Sequence, residues 1–273
     1  MSLNQYNVKA YLKGFHEIKT PQKILDCEFN FDNNRKLYVI STIVSAESGK
    51  EAQSRGMERI ILVIGVFEVY LLIHYEIVGI YSEQISGEQP FISSTSLSLT
   101  RTRFLPLPQE MIDKIRRSSE LLEKLPSHET YTKRVNKAIN YLRKGCYLER
   151  DWRSEAFLNY YKAMELVSHD FRKAFDKEVS NQLRETFFKD LTESELKELR
   201  TQKRLIQFTS KQLGITYPYN IPRSVELRNQ FGAHANLKDV TVSEDEFNDC
   251  KILAANIIIN YLDYLEKEEK SKK

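Results

Sequence analysis

The feature that most constrains this chain is a change in the period of its apolar residues. The first forty-odd residues favour an every-other-residue pattern, whereas from Thr130 onward apolar side chains recur at three- and four-residue spacings. A period of two buries one face of a strand, and a period near 3.6 buries one stripe of a helix. One chain carrying both in separate blocks is expected to build an α+β N-terminal domain followed by an all-α helical bundle.

In the first block, Tyr6–Phe15 and Lys23–Phe31 alternate imperfectly, and Lys36–Val44 (KLYVISTIV) is rich in β-branched and aromatic residues. Asp32-Asn33-Asn34 is turn chemistry and predicts a hairpin. From Glu47 the stretch ESGKEAQSRGMERIILVIGVF reads as a helix entering a core, and VYLLIHYEIVGIY and SSTSLSLT read as strands. The longest apolar run, Ile60 to Ile73, is 14 residues broken by Glu68. A bilayer needs about 20, so the run is expected to be core and no membrane contact is expected.

Pro106 and Pro108 punctuate the exit from this block, and Gln109–Leu125 predicts a helix stopped by Pro126. The expected division is an α+β domain over 1–105, a helical connector over 106–129, a helical domain over 130–268 and a charged tail over 269–273.

Within the helical block, Val135, Ile139, Leu142 and Cys146 form one stripe, and Ala156, Tyr160, Ala163 and Val167 form another with Asp151 as cap. Further helices are expected at 180–190, at 193–212 between Thr192 and Gly214, from Ser224, and over Glu244–Glu266 behind Ser243. Tyr160 and Tyr161 read as core and rim residues, and His74, set among apolar residues, as a satisfied core histidine.

Composition narrows the function classes. With 41% hydrophobic and 29% charged residues the chain is globular and not disordered. The first 100 residues hold 9 Lys+Arg against 11 Asp+Glu and the remainder 32 against 27, so the positive excess falls where phosphate would be met. Cys27, Cys146 and Cys250 are scattered, without a CxxC pair, which fits a reducing cytosol and a cytoplasmic protein. The opening MSLNQYNVKAYLKGF lacks a signal-peptide pattern. There is no HExxH, no P-loop and no GxGxxG, so neither a metal nor a nucleotide cofactor is expected.

The informative stretch is Val225–Ala235, VELRNQFGAHA. Arg228 and His234 are six apart, about 120° around an ideal helix, and do not share a face. A helix ending near Phe231, with Gly232 in the left-handed conformation, would fold the histidine back toward the arginine. The plainer alternative is that Arg228 pairs with Glu226 or another acidic neighbour on a solvated face.

Arg228-Asn229 followed by His234 resembles the signature of the HEPN superfamily, an Arg, often a polar residue, then His after four to six positions. The resemblance extends over roughly 130–268, with FLNYYKAMEL in an upstream helix and a long amphipathic helix after the motif. It implies a metal-independent endoribonuclease acting on single-stranded RNA at a composite homodimer site, leaving a 2′,3′-cyclic phosphate, and a place among toxins or antiviral defence effectors. It further implies Arg228 and His234 as the catalytic pair and an acidic or polar residue from an earlier helix orienting them, best matched by Glu165 and less well by Glu155. Asn229 would support Arg228 or contact RNA. The N-terminal domain would take a regulatory ligand or protein.

Two other readings stand beside this one. The fold could be a catalytically inactive RNA- or nucleotide-binding or dimerising scaffold. Alternatively WRSEAFLNYYKAMEL, which resembles a tetratricopeptide helix, could dock a partner peptide, although only one such unit is present.

Overall fold

The computed structural model describes residues 3–13, 22–34, 37–85, 91–93, 107–186, 192–216, 219–233 and 242–271. These divide into two compact units, 1–68 with 74–124, and 69–73 with 125–273.

The first unit is an antiparallel six-stranded sheet in the order β2-β3-β4-β1-β5-β6 with two helices. The strands are β1 (Asn4–Lys13), β2 (Gln22–Ile24), β3 (Cys27–Asp32), β4 (Leu37–Ala46), β5 (Glu76–Gln84) and β6 (Phe91–Ser93), with α1 (Gly49–Leu71) between β4 and β5 and α2 (Gln109–Lys124) after β6. Alternation is clearest on β1, where Tyr6, Val8, Ala10 and Leu12 are buried and the intervening residues are not. Opposite them, Ile40 and Val44 of β4 are buried too, and α1 covers that face with Ile60, Val63, Ile64 and Phe67. Each such side chain contributes about 1.5–3 kcal/mol on burial. Gly56 lets the helix approach closely, since a Cβ there would stand 2.6 Å from Val8 Cβ.

The segment Lys23–Phe31, expected as one strand, is two. Leu25 and Asp26 turn the chain between β2 and β3, with Leu25 in the left-handed region at φ 55°. Alternation alone does not register a two-residue turn that lacks Gly or Asn. The hairpin expected at Asp32-Asn33-Asn34 forms, and Asn34 N–H donates to Asp32 Oδ1 at 2.9 Å.

The first residues of VYLLIHYEIVGIY complete α1 and are not strand; the helix stops at Leu72, φ 55°. Glu68 is fully buried, and its Oε1 accepts the Tyr75 backbone N–H at 2.8 Å and lies 2.9 Å from His74 Nδ1, which gives the core carboxylate partners. SSTSLSLT lies outside the described residues apart from Ser93, which ends β6. The helix expected as a connector is α2, which groups with the sheet: Arg116 donates to Lys23 O at 3.3 Å and to Gln22 Oε1 at 3.1 Å.

The second unit is helical: α3 (Thr130–Leu148), α4 (Arg153–Ser168), a 3-10 turn (His169–Phe171), α5 (Arg172–Thr186), α6 (Glu193–Leu199), α7 (Gln202–Gln212), α8 (Ile221–Ala233) and α9 (Glu244–Ser271). The α3 and α4 stripes expected from sequence are buried throughout. The N-cap of α4 is Trp152 and not Asp151. Gly145 is required by the α3–α4 contact, since a Cβ there would come within 2.4 Å of the Tyr160 ring.

The stretch expected as one helix over 193–212 breaks at Arg200–Thr201. Thr192 caps α6 through a reciprocal box with Glu195, and Gly214 ends the region beyond α7 at φ 68°. Ser243 and Glu246 make a similar exchange at the start of α9, with distances of 2.9 and 3.2 Å. No helix among the described residues is long and apolar enough to cross a membrane.

Candidate functional site

The site is built where α8 meets α4. Helix α8 starts at Ile221, three residues before the expected position, because Asn220 acts as its cap: its Oδ1 accepts the Arg223 N–H at 3.2 Å. Leu227 is fully buried, and the Phe231 ring lies 5.7 Å from that of Phe157 on α4. Arg223 Nε donates to Glu246 of α9 at 2.7 Å, and its Nη1 lies 3.0 Å from Glu226. Glu226 is therefore engaged by Arg223 and not by Arg228, the partner considered from sequence.

With these anchors set, Arg228 projects toward α4. Its guanidinium carbon lies 5.7 Å from the centroid of the Tyr161 ring, Nη1 donates to Asn229 Oδ1 at 3.0 Å, and Nη2 stands 3.8 Å from Glu165 Oε1. Arg228 and Glu165 thus stand near each other, but loosely. At 3.8 Å the pair lies beyond hydrogen-bonding distance for a charged N–H. The Arg228 side chain is 44% exposed and that of Glu165 26%, so the pair contributes no more than a weak surface interaction.

Tyr161, four residues before Glu165, occupies the same face of α4. It is 1% exposed, and its hydroxyl is buried with no hydrogen-bond partner among the described residues. Burial, reinforced by the Glu165 charge and opposed by Arg228, pushes the phenol well above its usual range. It therefore remains a neutral O–H donor. Sequence reading placed Tyr161 in the core or rim; the missed signal was its i,i+4 relation to Glu165.

Three other expectations fare differently. Gly232 lies inside α8, which continues to Ala233, so it is not the left-handed residue after a helix ending at Phe231. The glycine-stop rule gave way to continued helix, because the Phe231 contact holds this last turn on α4. Glu155 is exposed in the first turn of α4, ten residues and about 15 Å along the helix from Glu165. No contact with Arg228 brings it into the cluster. His234 lies outside the described residues.

Among the described residues no group of three or more His, Cys, Asp or Glu side chains is placed to hold a metal ion. Cys27 and Cys250 are buried, and burial raises both thiols, Cys27 to about 12. Neither is a thiolate near neutrality.

No family model matches the chain, and neither the curated proteins nor the solved structures contain a match.

Proposed function

We propose that the helical unit is a metal-independent endoribonuclease of HEPN type, cleaving single-stranded RNA with Arg228 and His234. The observation that carries this reading is the state of Arg228. It is half exposed and oriented by an aromatic ring and a neighbouring amide, and among the described residues no carboxylate engages its fork at hydrogen-bond distance. A guanidinium held this way is suited to receive a phosphate bidentately.

In the reaction His234 takes the proton of a ribose 2′-OH, and the oxygen forms a bond to the adjacent phosphorus. The bond from phosphorus to the 5′-oxygen breaks, and that oxygen leaves with a proton from a general acid. The products are a 2′,3′-cyclic phosphate and a 5′-hydroxyl. Arg228 offsets the negative charge gathering on the phosphoryl oxygens, and Glu165 and Asn229 set the direction of Arg228. A homodimer bringing two Arg228–His234 pairs together supplies base, acid and phosphate clamp. The sheet unit would receive the ligand or protein that regulates cleavage, and a toxin or defence role follows from the same resemblance.

The test is cleavage of single-stranded RNA in EDTA, with the 3′ ends analysed for cyclic phosphate. His234→Ala is expected to lower turnover by about 10²-fold or more with RNA affinity retained, and Arg228→Ala to lower both. Cleavage abolished by chelation and restored by Mg²⁺, or unaffected by either substitution, overturns the reading.

A scaffold without turnover is the second reading. It is favoured by the passage of α8 through Gly232, which removes the turn that was to return His234 toward Arg228. Under this reading both variants bind RNA or dimerise, and neither the variants nor the wild type cleave.

A further inference from the structure

An unpartnered buried hydroxyl is uncommon, because a polar group removed from water is destabilising unless it is hydrogen-bonded. Among the described residues Tyr161 presents one, beside the Arg228 guanidinium. Its ring already has a use as the surface on which Arg228 rests. The hydroxyl does not.

Glu165 has the complementary problem. Its carboxylate faces Arg228 at 3.8 Å, and its side chain is only 26% exposed. If Arg228 turns to a phosphate, Glu165 keeps its charge in a half-buried place without a counter-ion. Glu165 follows Tyr161 by one turn on the same face of α4, and its charge is near enough to act on the Tyr161 phenol.

Resting on the reading above that Arg228 receives phosphate, we propose that Tyr161 is the positioning residue of this site: its ring supports Arg228, and its hydroxyl donates to Glu165 when Arg228 is drawn to phosphate. Glu165 then exchanges one partner for another. In the free protein it restrains Arg228 weakly; in the phosphate-bound protein the Tyr161 O–H satisfies it. Burial keeps the phenol protonated, so the donor is present at neutral pH.

The experiment titrates the full chain, carrying 15N-labelled arginine, with inorganic phosphate, and follows the Nε–Hε resonance of Arg228. Phosphate is expected to shift that resonance saturably. Tyr161→Phe keeps the ring and removes only the donor. It is expected to weaken phosphate binding by about tenfold, the worth of one hydrogen bond to a charged group. In a Glu165→Gln background no charge is left to satisfy, and adding Tyr161→Phe is expected to change phosphate affinity by less than about twofold.

Thermal melting supplies the readout that separates this from ordinary packing. Because the hydroxyl has no partner among the described residues, Tyr161→Phe is expected to leave Tm unchanged or raise it. The proposal is overturned if Tyr161→Phe binds phosphate like the wild type, if its loss persists undiminished with Glu165→Gln, if it lowers Tm, or if phosphate leaves the Arg228 resonance unmoved. A protein whose Arg228 responds to phosphate in this pattern but never cuts RNA overturns the ribonuclease reading alone.

Discussion

The helical unit contains two clusters made from the same three residue types, an arginine, a carboxylate and a tyrosine. In the first, Arg134 of α3 pairs with Asp170 in the 3-10 turn, and Tyr261 of α9 donates its hydroxyl to Asp170 Oδ2 at 2.7 Å. One carboxylate thus ties three segments together, with Asp170 only 13% exposed. In the second, Arg228 stands 3.8 Å from Glu165, and the Tyr161 hydroxyl has no partner among the described residues. The first cluster is a saturated clamp. The second retains unused hydrogen-bonding capacity in every member, as a group that must change partners requires.

The Arg134 cluster is not exceptional. Tyr160 donates to Glu149 at 3.0 Å, and Lys251 reaches the same carboxylate at 2.6 Å, again linking α3, α4 and α9. Arg153 reaches Glu244 at 2.6 Å while covering the Phe247 ring. Against these tight pairs the arrangement around Arg228 is slack.

Removing the carboxylate from each cluster should separate them most. Asp170→Ala leaves a part-buried guanidinium and a phenol without their acceptor and is expected to cost about 2–3 kcal/mol. On a unit of this size that is a Tm fall of roughly 5–10 °C. Glu165→Ala is expected to cost no more than about 0.5 kcal/mol, since its pair is long and partly exposed. Equal losses in denaturant melts would show that the two clusters are alike.

The tyrosines give a smaller contrast with a difference in sign. Tyr261→Phe deletes a hydrogen bond to a charged acceptor and is expected to destabilise by about 1.5 kcal/mol. Tyr161→Phe, deleting a hydroxyl with nothing to lose, is expected to be neutral or mildly stabilising. A Tyr161→Phe loss as large as that of Tyr261→Phe would mean the hydroxyl is engaged after all.

The smallest difference is expected in pH dependence, where the clusters should behave alike. Burial is the leading cause raising both phenols, with Asp170 and Glu165 adding to it. A phenol raised in the folded state contributes its stability fully below its unfolded pKa of about 10 and loses it as pH climbs above that value. Absorbance at 295 nm should therefore show Tyr161 and Tyr261 ionising only as the protein unfolds in alkali. Independent ionisation of Tyr161 near its ordinary pKa would show that its site is wet.

Of the residues around Arg228, Asn229 and Glu165 came into view only through the resemblance of VELRNQFGAHA and the upstream FLNYYKAMEL to a family pattern. Tyr161 did not, since an apolar stripe reports that a ring is buried and not whether its hydroxyl has an acceptor. The passage of α8 through Gly232 was likewise hidden: a glycine permits a stop, and the contact between Phe157 and Phe231, more than seventy positions apart in the chain, holds the turn in place.

What the sequence by itself determined is the succession of a sheet-building block and a helical block, with the buried stripes of α3 and α4 and the caps at Thr192 and Ser243. These depend on period and on neighbours within a few residues, so residue order suffices. Only the tertiary structure decided that α2 groups with the sheet, that Arg223 takes Glu226, and that one arginine–carboxylate–tyrosine cluster is saturated while the other is not. Those outcomes depend on distances of a few tenths of an ångström between residues far apart in the chain. A hydrogen bond is made or lost over such distances, and periodicity carries no information about them.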